Sequence, residues 1–396
     1  MQRSILSFAV FVLIFSAIMG AAHYYVWNRL VRAPALSPSL HKAGTIVIIA
    51  AGLLVPIGLF AGQFLPRRAE TALSMLVYGW VGTITLLVVA LCVSELVRAG
   101  VVAASSFGEA SISHERRTLL SRGIAAVAAT FSLALSGIGT ANALSEVSVR
   151  SQPIRLRRFP AALSGFRIVQ LTDVHIGPTL GREWLDTIVE RVNALNADLI
   201  VITGDLVDGS VKALRDHVAP LQNLRSKHGT YFVTGNHEYY SGADEWIEEL
   251  RRMGIVVLRN ERVSIGEGDD SFDLAGVDDY SAKGFGNGHG ADLARALKDR
   301  NSSRELVLLA HQPKQIAEAS RMDVGLMLSG HTHGGQLFPW MFLVMLDQPY
   351  IAGLATHGGT QIYVSRGTGY WGPPMRVGAP AEIALLELHR ENAGLG

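Results

Sequence analysis

The sequence predicts an α/β domain preceded by an all-α membrane region of about four helices, and three observations predict it. Four long runs without Asp, Glu, Lys or Arg fill most of the first 145 residues. From Phe166 onward, strand-like and helix-like segments alternate. Five short polar motifs then recur, each at the end of a strand-like segment.

The uncharged runs are residues 4–28, 43–66, 71–94 and 123–145, each 23–25 residues long. About 20 apolar residues suffice for a helix to cross a hydrocarbon core. Four such lengths in succession, each flanked by charge, favour membrane spans over the buried helices of a soluble protein. The fourth run, rich in Ala, Gly and Ser, is the weakest of them. None of the four carries an ionised group, which argues against transport through them. Residues 1–149 are therefore assigned to a membrane region and residues 150–396 to the α/β domain. The lipid bilayer is an expected partner. The formal net charge of +1 provides no field for nucleic acid. Cys92 is the only cysteine, so an intrachain disulfide and a thiolate metal cluster are both excluded. Nothing in the sequence reports an oligomeric state.

Basic residues in short loops set the expected orientation. The loop 29–42 carries Arg29, Arg32 and Lys42, and the loop 95–122 carries Arg98, Arg116, Arg117 and Arg122. The opposite side has only Arg3, Arg67 and Arg68. This bias puts the first and third loops in the cytoplasm and the α/β domain outside it. Arg150, Arg155, Arg157 and Arg158 count against that placement unless they belong to the folded domain. The pair Arg116 and Arg117 before the fourth run, with Ala141 and Ala143 at its end, resembles a bacterial twin-arginine export signal. An ordinary basic flank reads equally well. A multi-pass protein of the bacterial inner membrane with an extracytoplasmic domain is the expectation.

Within the domain, residues 167–172 read as a buried strand ending at Asp173. A helix over 182–196 places Trp184, Leu185, Ile188, Val189, Val192 and Leu195 on one face. A strand at 198–203, a helix at 212–224 and a strand at 231–234 follow. Next come a helix at 243–253, strands near 255–258, 262–265 and 272–277, and a helix at 291–299. Strands at 305–310, 324–329, 361–365 and 382–388 complete the series. Asp173 to Asp205, and Asp205 to Asn236, are each one β-α-β unit apart. The motifs thus collect at the carboxyl edge of a largely parallel sheet, where open α/β sheets bind ligands. Glycines at 204, 235 and 330 permit the close backbone approach such loops need.

The motifs are Asp173 with His175, Gly204-Asp205 with Asp208, Gly235-Asn236-His237-Glu238, Ala310-His311, and Gly330-His331 with His333. Carboxylate, imidazole and amide oxygen together suit two divalent ions such as Mn²⁺, Fe or Zn²⁺. Asp205 has two oxygens with which to bridge the ions. His331 and His333, flanking Thr332, can each face a different ion. A two-metal site implies hydrolysis of a phosphate ester. Asp208 is read either as a residue orienting His237 or as the N-cap of the 212–224 helix.

With all five blocks in this order, the chain resembles the calcineurin-like metallophosphoesterase superfamily from about residue 165 to 390. The resemblance implies a four-layer α-β-β-α sandwich with a dinuclear centre. It implies that Asp173, His175, Asp205 and His333 bind the first ion, and Asp205, Asn236, His311 and His331 the second. It also implies that His237 contacts the phosphate or leaving group and ligates no metal. The expected reaction is in-line attack by a metal-bridging hydroxide, with His237 protonating or stabilising the leaving oxygen. Residues 330–336 (GHTHGGQ), 365–369 (SRGTG) and 380–383 (PAEI) resemble a narrower branch of bacterial membrane-associated or exported phosphodiesterases. That branch includes enzymes compared with the UDP-diacylglucosamine diphosphatases of lipid A synthesis, so a phospholipid or lipid-linked substrate is an expectation. The rival readings are a non-catalytic metal-binding scaffold and a membrane sensor.

Other features are less decisive. The apolar run Leu337–Leu346 reads as a core strand or packed loop in preference to a membrane-facing lip. Asp278, Asp279 and Arg366 could meet substrate, or pair at the surface. His289 and His357 read as ordinary loop residues.

Overall fold

The computed structural model describes residues 2–62, 64–105, 114–286 and 288–391. Two compact units divide the chain: Met1–Ala141 with Gly372–Met375, and Asn142–Trp371 with Arg376–Gly396.

The first unit contains α1 (Gln2–Trp27), α2 (Pro38–Gly62), α3 (Arg67–Ser105) and α4 (His114–Leu144), the last helix reaching into the second unit. Among the described residues three helical segments are long and apolar enough to cross a membrane: Pro38–Gly62, Arg67–Gly100 and Thr118–Leu144. The first apolar run falls on α1. The small core of the unit gathers Val26, Ile84, Leu87, Leu91 and Ala128. Many other apolar side chains, among them Ile18, Val47, Phe60 and Val97, point outward. The helices run beyond the uncharged stretches, because Arg, Glu and Ala continue a helix readily. Much of the expected loop 95–122 is therefore helical; its residues 106–113, and the side chain of Arg117, lie outside the described residues. Arg122 donates to the carbonyls of Pro34 and Ala35, and Arg29 pairs with Glu95 at 3.2 Å. These bonds put the first and third connections at the same end of the unit.

The second unit starts with β1 (Ser148–Leu156), β2 (Phe166–Leu171), α5 (Arg182–Ala194), β3 (Leu199–Thr203), α6 (Val211–Val218) and β4 (Thr230–Val233). It continues with α7 (Asn236–Ser241), α8 (Ala243–Arg252), β5 (Val256–Val257), β6 (Glu261–Glu267), β7 (Asp270–Gly276) and α9 (Leu293–Ala296). Then follow β8 (Leu306–Leu309), α10 (Ile316–Ala319), β9 (Leu326–Ser329), α11 (Met341–Asp347), β10 (Gly353–His357), β11 (Thr360–Val364) and β12 (Glu382–Arg390).

The strands form two six-stranded sheets, ordered β1-β12-β2-β3-β4-β5 and β10-β11-β9-β8-β7-β6. The β-α-β spacing taken alone reads as one sheet; the two sheets are those of the four-layer sandwich that the resemblance implies. Within each, the strands that lead into the motifs pair in parallel: β2 with β3, β3 with β4, and β8 with β9. Antiparallel pairs, such as β12 with β2 and β6 with β7, make both sheets mixed. Strands buried on both faces read as continuous apolar runs, and Leu199–Ile202 shows why. Leu199 and Val201 meet Phe272, Leu274, Val307 and Leu328 between the sheets. Ile200 and Ile202 pack with Leu185, Ile188, Leu214 and Trp246 of the helices outside. On the far side of the second sheet, Leu306, Leu308 and Met327 pack with Leu293, Ala296 and Ile316. The layers run helix, sheet, sheet, helix, as expected.

Several details differ from the sequence expectation. The 212–224 helix ends at Val218 and continues as a 3-10 segment, Ala219–Asn223, because Pro220 cannot donate a helical hydrogen bond. The 291–299 helix shrinks to α9. β1 was not anticipated: Arg150, Pro153 and Arg155 look unlike a strand, yet proline is tolerated at a sheet edge. Its presence places Arg150 and Arg155 in the folded domain. The run Leu337–Leu346 is neither a core strand nor a packed loop. Leu337 is buried, but α11 buries no residue.

Candidate metal centre

The five motif loops leave β2, β3, β4, β8 and β9 at one end of the two sheets. Their backbone is unusual. Asp173, His175, Asp205, His331 and His333 all have φ between 50° and 71°, the left-handed region that non-glycine residues seldom enter. Such conformations persist only where surrounding structure enforces them, and they cluster at functional sites. Two glycines show how tight the assembly is. A Cβ on Gly235 would stand 2.2 Å from Asp205 Oδ1, and one on Gly330 would stand 2.2 Å from Asp173 Oδ2. Neither loop has room for a side chain.

The convergence is close. His311 Nε2 lies 3.0 Å from Asp205 Oδ2, and His331 Nδ1 lies 3.2 Å from His311 Nε2. On the other side, His333 Nε2 is 3.4 Å from Asp173 Oδ1 and 3.1 Å from His175 Nε2. His175 Nε2 is 4.0 Å from Asp205 Oδ2, so Asp205 adjoins both groups. In Asp173, His175 and His333, and again in Asp205, His311 and His331, one ligand atom from each residue lies within 4.8 Å of the others. The carboxylate of Asp208 accepts from His237 Nδ1 at 2.6 Å and faces His175 Nδ1 at 3.1 Å. The N-cap of α6 is Ser210, so Asp208 does not cap that helix. Asp208, His175 and His237 form a third such group, but hydrogen bonds through the Nδ1 atoms explain it.

The sequence model of calcineurin-like phosphoesterases matches residues 166–335. A Bos taurus transmembrane protein with metallophosphoesterase domain is 37% identical over 401 residues, covering 97% of this chain and 89% of that protein. A Danio rerio protein of the same description is 35% identical over 404 residues, covering 98% of this chain and 90% of its own length. The chain belongs to the calcineurin-like metallophosphoesterase family. An uncharacterized metallophosphoesterase from Helicobacter pylori is 44% identical over 267 residues, 66% of this chain and 70% of that one. The two vertebrate relatives align across the helical unit as well as the metallophosphoesterase domain.

The donors present fit the dinuclear metal site of this family. Asn236 Oδ1 is buried and has no hydrogen-bond partner among the described residues, an expensive condition unless a cation or water takes its lone pairs. His311 Nδ1 lies 2.8 Å from the Thr203 carbonyl and donates to it, which fixes the ring with Nε2 directed at Asp205 and His331. His175 is fixed in the same way by Asp208. Two pairs of imidazole nitrogens face each other at 3.1 and 3.2 Å, a spacing that a shared proton or a bound cation can hold. The electrostatics divide the histidines: burial opposes charge on His311, yet Asp205 holds it well above the ordinary imidazole range. Burial, reinforced by His311, pulls His331 down to about 3. Burial and His175 likewise hold His333 well below the ordinary range, so both rings stay neutral and keep a lone pair. Burial alone would raise Asp205, but His311 and His237 hold it well below the usual carboxylate range. Burial opposes charge on His237 also, yet Asp205 and Asp208 push it up to about 9.

Sequence reading missed the groups that hold this metallophosphoesterase site in place. Glu238 lay in a recognised motif without a role. It is fully buried and accepts backbone N–H groups from Asp205, Leu206 and Gly235 at 3.0, 2.8 and 2.7 Å, tying the second loop to the third. Burial and the Asp205 charge push it up to about 7. Gln170 donates to Thr203 Oγ1 and to the Ser329 carbonyl, joining the two sheets beneath the site. Arg376 is buried and donates to the carbonyls of Gly369 at 3.0 Å and Ala379 at 2.9 Å, behind His333. Only the position of Glu238, three residues after the Gly235 N-cap of α7, offered a clue beforehand: an acid there can accept the N-cap N–H, though glycine has no side chain to return the bond.

The residues of less decisive standing have structural partners. Asp278 is buried and pairs with Arg259 through both oxygens, at 2.9 and 2.7 Å. Asp279 accepts from Gln312 and Ser281, and Arg366 pairs with Glu382 at 3.0 Å. His289 lies beside Arg259, and His357 beside Tyr350.

Proposed function

We propose that this chain is a membrane-anchored phosphodiesterase or diphosphatase working through two divalent ions, Mn, Fe or Zn. The observation that carries the reading is the convergence of two donor groups from two sheets on either side of Asp205. Asp173, His175, Asp205 and His333 would hold one ion, and Asp205, Asn236, His311 and His331 the other. When bound, such a pair supplies Lewis acidity that turns water into a nucleophile at neutral pH and neutralises charge on the phosphate oxygens.

The chain's own residues do the rest. His237 sits at the mouth with its side chain 15% exposed, and its Nδ1 is engaged by Asp208. Its Nε2 is therefore the atom available to a phosphate or leaving oxygen. The carboxylates around it favour the imidazolium, which can donate a proton to the departing alkoxide. Asp208 is a positioning residue, fixing the tautomer and ring plane of both His237 and His175. Asp173 is held by the His331 N–H at 2.9 Å and by the Thr172 hydroxyl at 2.8 Å, so its oxygens are aimed before any ion arrives.

A phospholipid or lipid-linked phosphate ester is the substrate class we favour. Support comes from the apolar helices and from the exposed aromatic side chains Tyr240 and Trp371 beside His237. We place the protein as a multi-pass component of a bacterial cell membrane with its catalytic domain outside the cytoplasm. The basic bias of the first and third connections supports this, and so does the inclusion of Arg150 and Arg155 in β1.

The test uses the full chain in detergent with bis(p-nitrophenyl) phosphate, Mn²⁺ and a chelator. Turnover should require metal and collapse in Asp205→Ala and His237→Ala. Turnover indifferent to chelation, or to both substitutions, refutes the enzyme reading. A reporter fused after residue 396 tests orientation: activity confined to the cytoplasm would reverse the placement.

A further inference from the structure

The apolar segment that follows the metal-binding loop leaves most of its large side chains exposed. Phe338, Trp340, Phe342, Leu343, Met345 and Leu346 are 50%, 40%, 58%, 53%, 56% and 83% exposed. No charged residue interrupts Leu337–Leu346. The first charge is Asp347, whose carboxylate pairs with Lys314 at 3.0 Å at the end of α11. Soluble surfaces rarely expose contiguous apolar patches of this kind without an interaction to serve. Elsewhere in the α/β unit the large apolar residues left exposed are more scattered.

The patch is continuous with the site. Just before it, Gln336 brackets the backbone of Trp371, donating to its carbonyl at 2.9 Å and accepting its N–H at 3.0 Å. The exposed Trp371 ring then lies 5.6 Å from the His237 ring. Chain connectivity names the occupant. α4 ends at Leu144 and β1 begins at Ser148. The intervening residues span at most about 3.3–3.6 Å each, so the domain stays within a short reach of whatever surface α4 leaves. Aromatic and aliphatic side chains on a short helix with a polar end suit the interfacial layer of a bilayer.

We propose that Phe338, Trp340 and α11 form a lip seated in the interfacial layer of the membrane that anchors the chain, presenting the centre to phosphate esters at headgroup depth. The inference rests on the membrane anchorage proposed above and not on catalysis.

The experiment reads depth. In full-length protein carrying Cys92→Ser, an environment-sensitive fluorophore is attached through Leu346→Cys or, as a second position, Leu343→Cys. Lys212→Cys on α6 serves as the exposed reference. In phosphatidylcholine vesicles, brominated acyl chains should quench both lip positions at least about twofold more than the reference, and aqueous iodide should do the reverse. Iodide quenching of the lip equal to the reference overturns the proposal. So does shielding from both quenchers, which would mean that a second protein surface covers α11. Release of the whole chain by alkaline carbonate refutes the anchorage and the lip together. Iodide access in a carbonate-resistant chain refutes the lip alone.

Discussion

The two sheets bring different chemistry to the centre. Loops after β2, β3 and β4 supply Asp173, His175, Asp205 and Asn236, mostly oxygen donors. Loops after β8 and β9 supply imidazoles only: His311, His331 and His333. The oxygen side is aimed by the protein itself. Asp173 accepts the backbone N–H of His331 from the opposite sheet, and Asp205 Oδ1 accepts the N–H of His237 at 2.8 Å. The imidazole side is left with nitrogens facing one another. The fold thus fixes the carboxylates, whereas in the proposed reading two cations would complete the histidines. Metal loss should therefore disturb the rings more than the acidic loops.

Asp205→Ala breaks this arrangement at the residue both sides share. Turnover should fall about 10³-fold or more, and metal analysis should find fewer than two ions per chain. Full metal content in this variant would mean that the imidazole side binds without the bridging acid. His237→Ala is expected to cost about 10²- to 10³-fold in turnover while the metal content stays unchanged. Loss of metal would instead promote His237 to a ligand and merge the third donor group with the other two. Asp208→Asn acts through His237 and His175, so a smaller loss, about 10- to 100-fold, should appear mainly in kcat. A loss equal to that of His237→Ala would show that positioning accounts for the whole effect of the histidine. The smallest change in chemistry should come from Glu238→Gln. It weakens the acceptor of three buried N–H groups and should destabilise the fold by about 1–3 kcal/mol, read as a lowered melting temperature. Turnover per folded molecule should change little. Unchanged melting would show that the oxygen side needs no such support.

The pattern of legibility follows from the same contrast. The ligand-type residues were visible because their chemistry is rare in short motifs after apolar strands, and the structure brings them within a few ångströms of one another. Their buttresses were not visible. Glu238 and Arg376 look like ordinary charged residues until burial and partners are known, and those partners lie in distant segments. The two-sheet arrangement came from family resemblance, since β-α-β spacing alone reads as one sheet. β1 was hidden by arginines and a proline that an edge position tolerates. α11 was hidden for the opposite reason: an apolar decapeptide in an α/β domain reads as core, and periodicity carries no information about which solvent lies outside.

The pairing of β1 with β12 has a consequence for synthesis. β1 follows directly on α4, yet its neighbour in the sheet, among the described residues, is β12. Ser148 bonds to Ala381 across 233 residues of chain. That edge of the sheet therefore stays open until β12 has been made, a late closure of the kind that slows folding and exposes strand edges. Chains truncated just before Glu382 should keep every residue of the five motifs but lack the strand that joins β1 to β2, and so be targets for proteolysis.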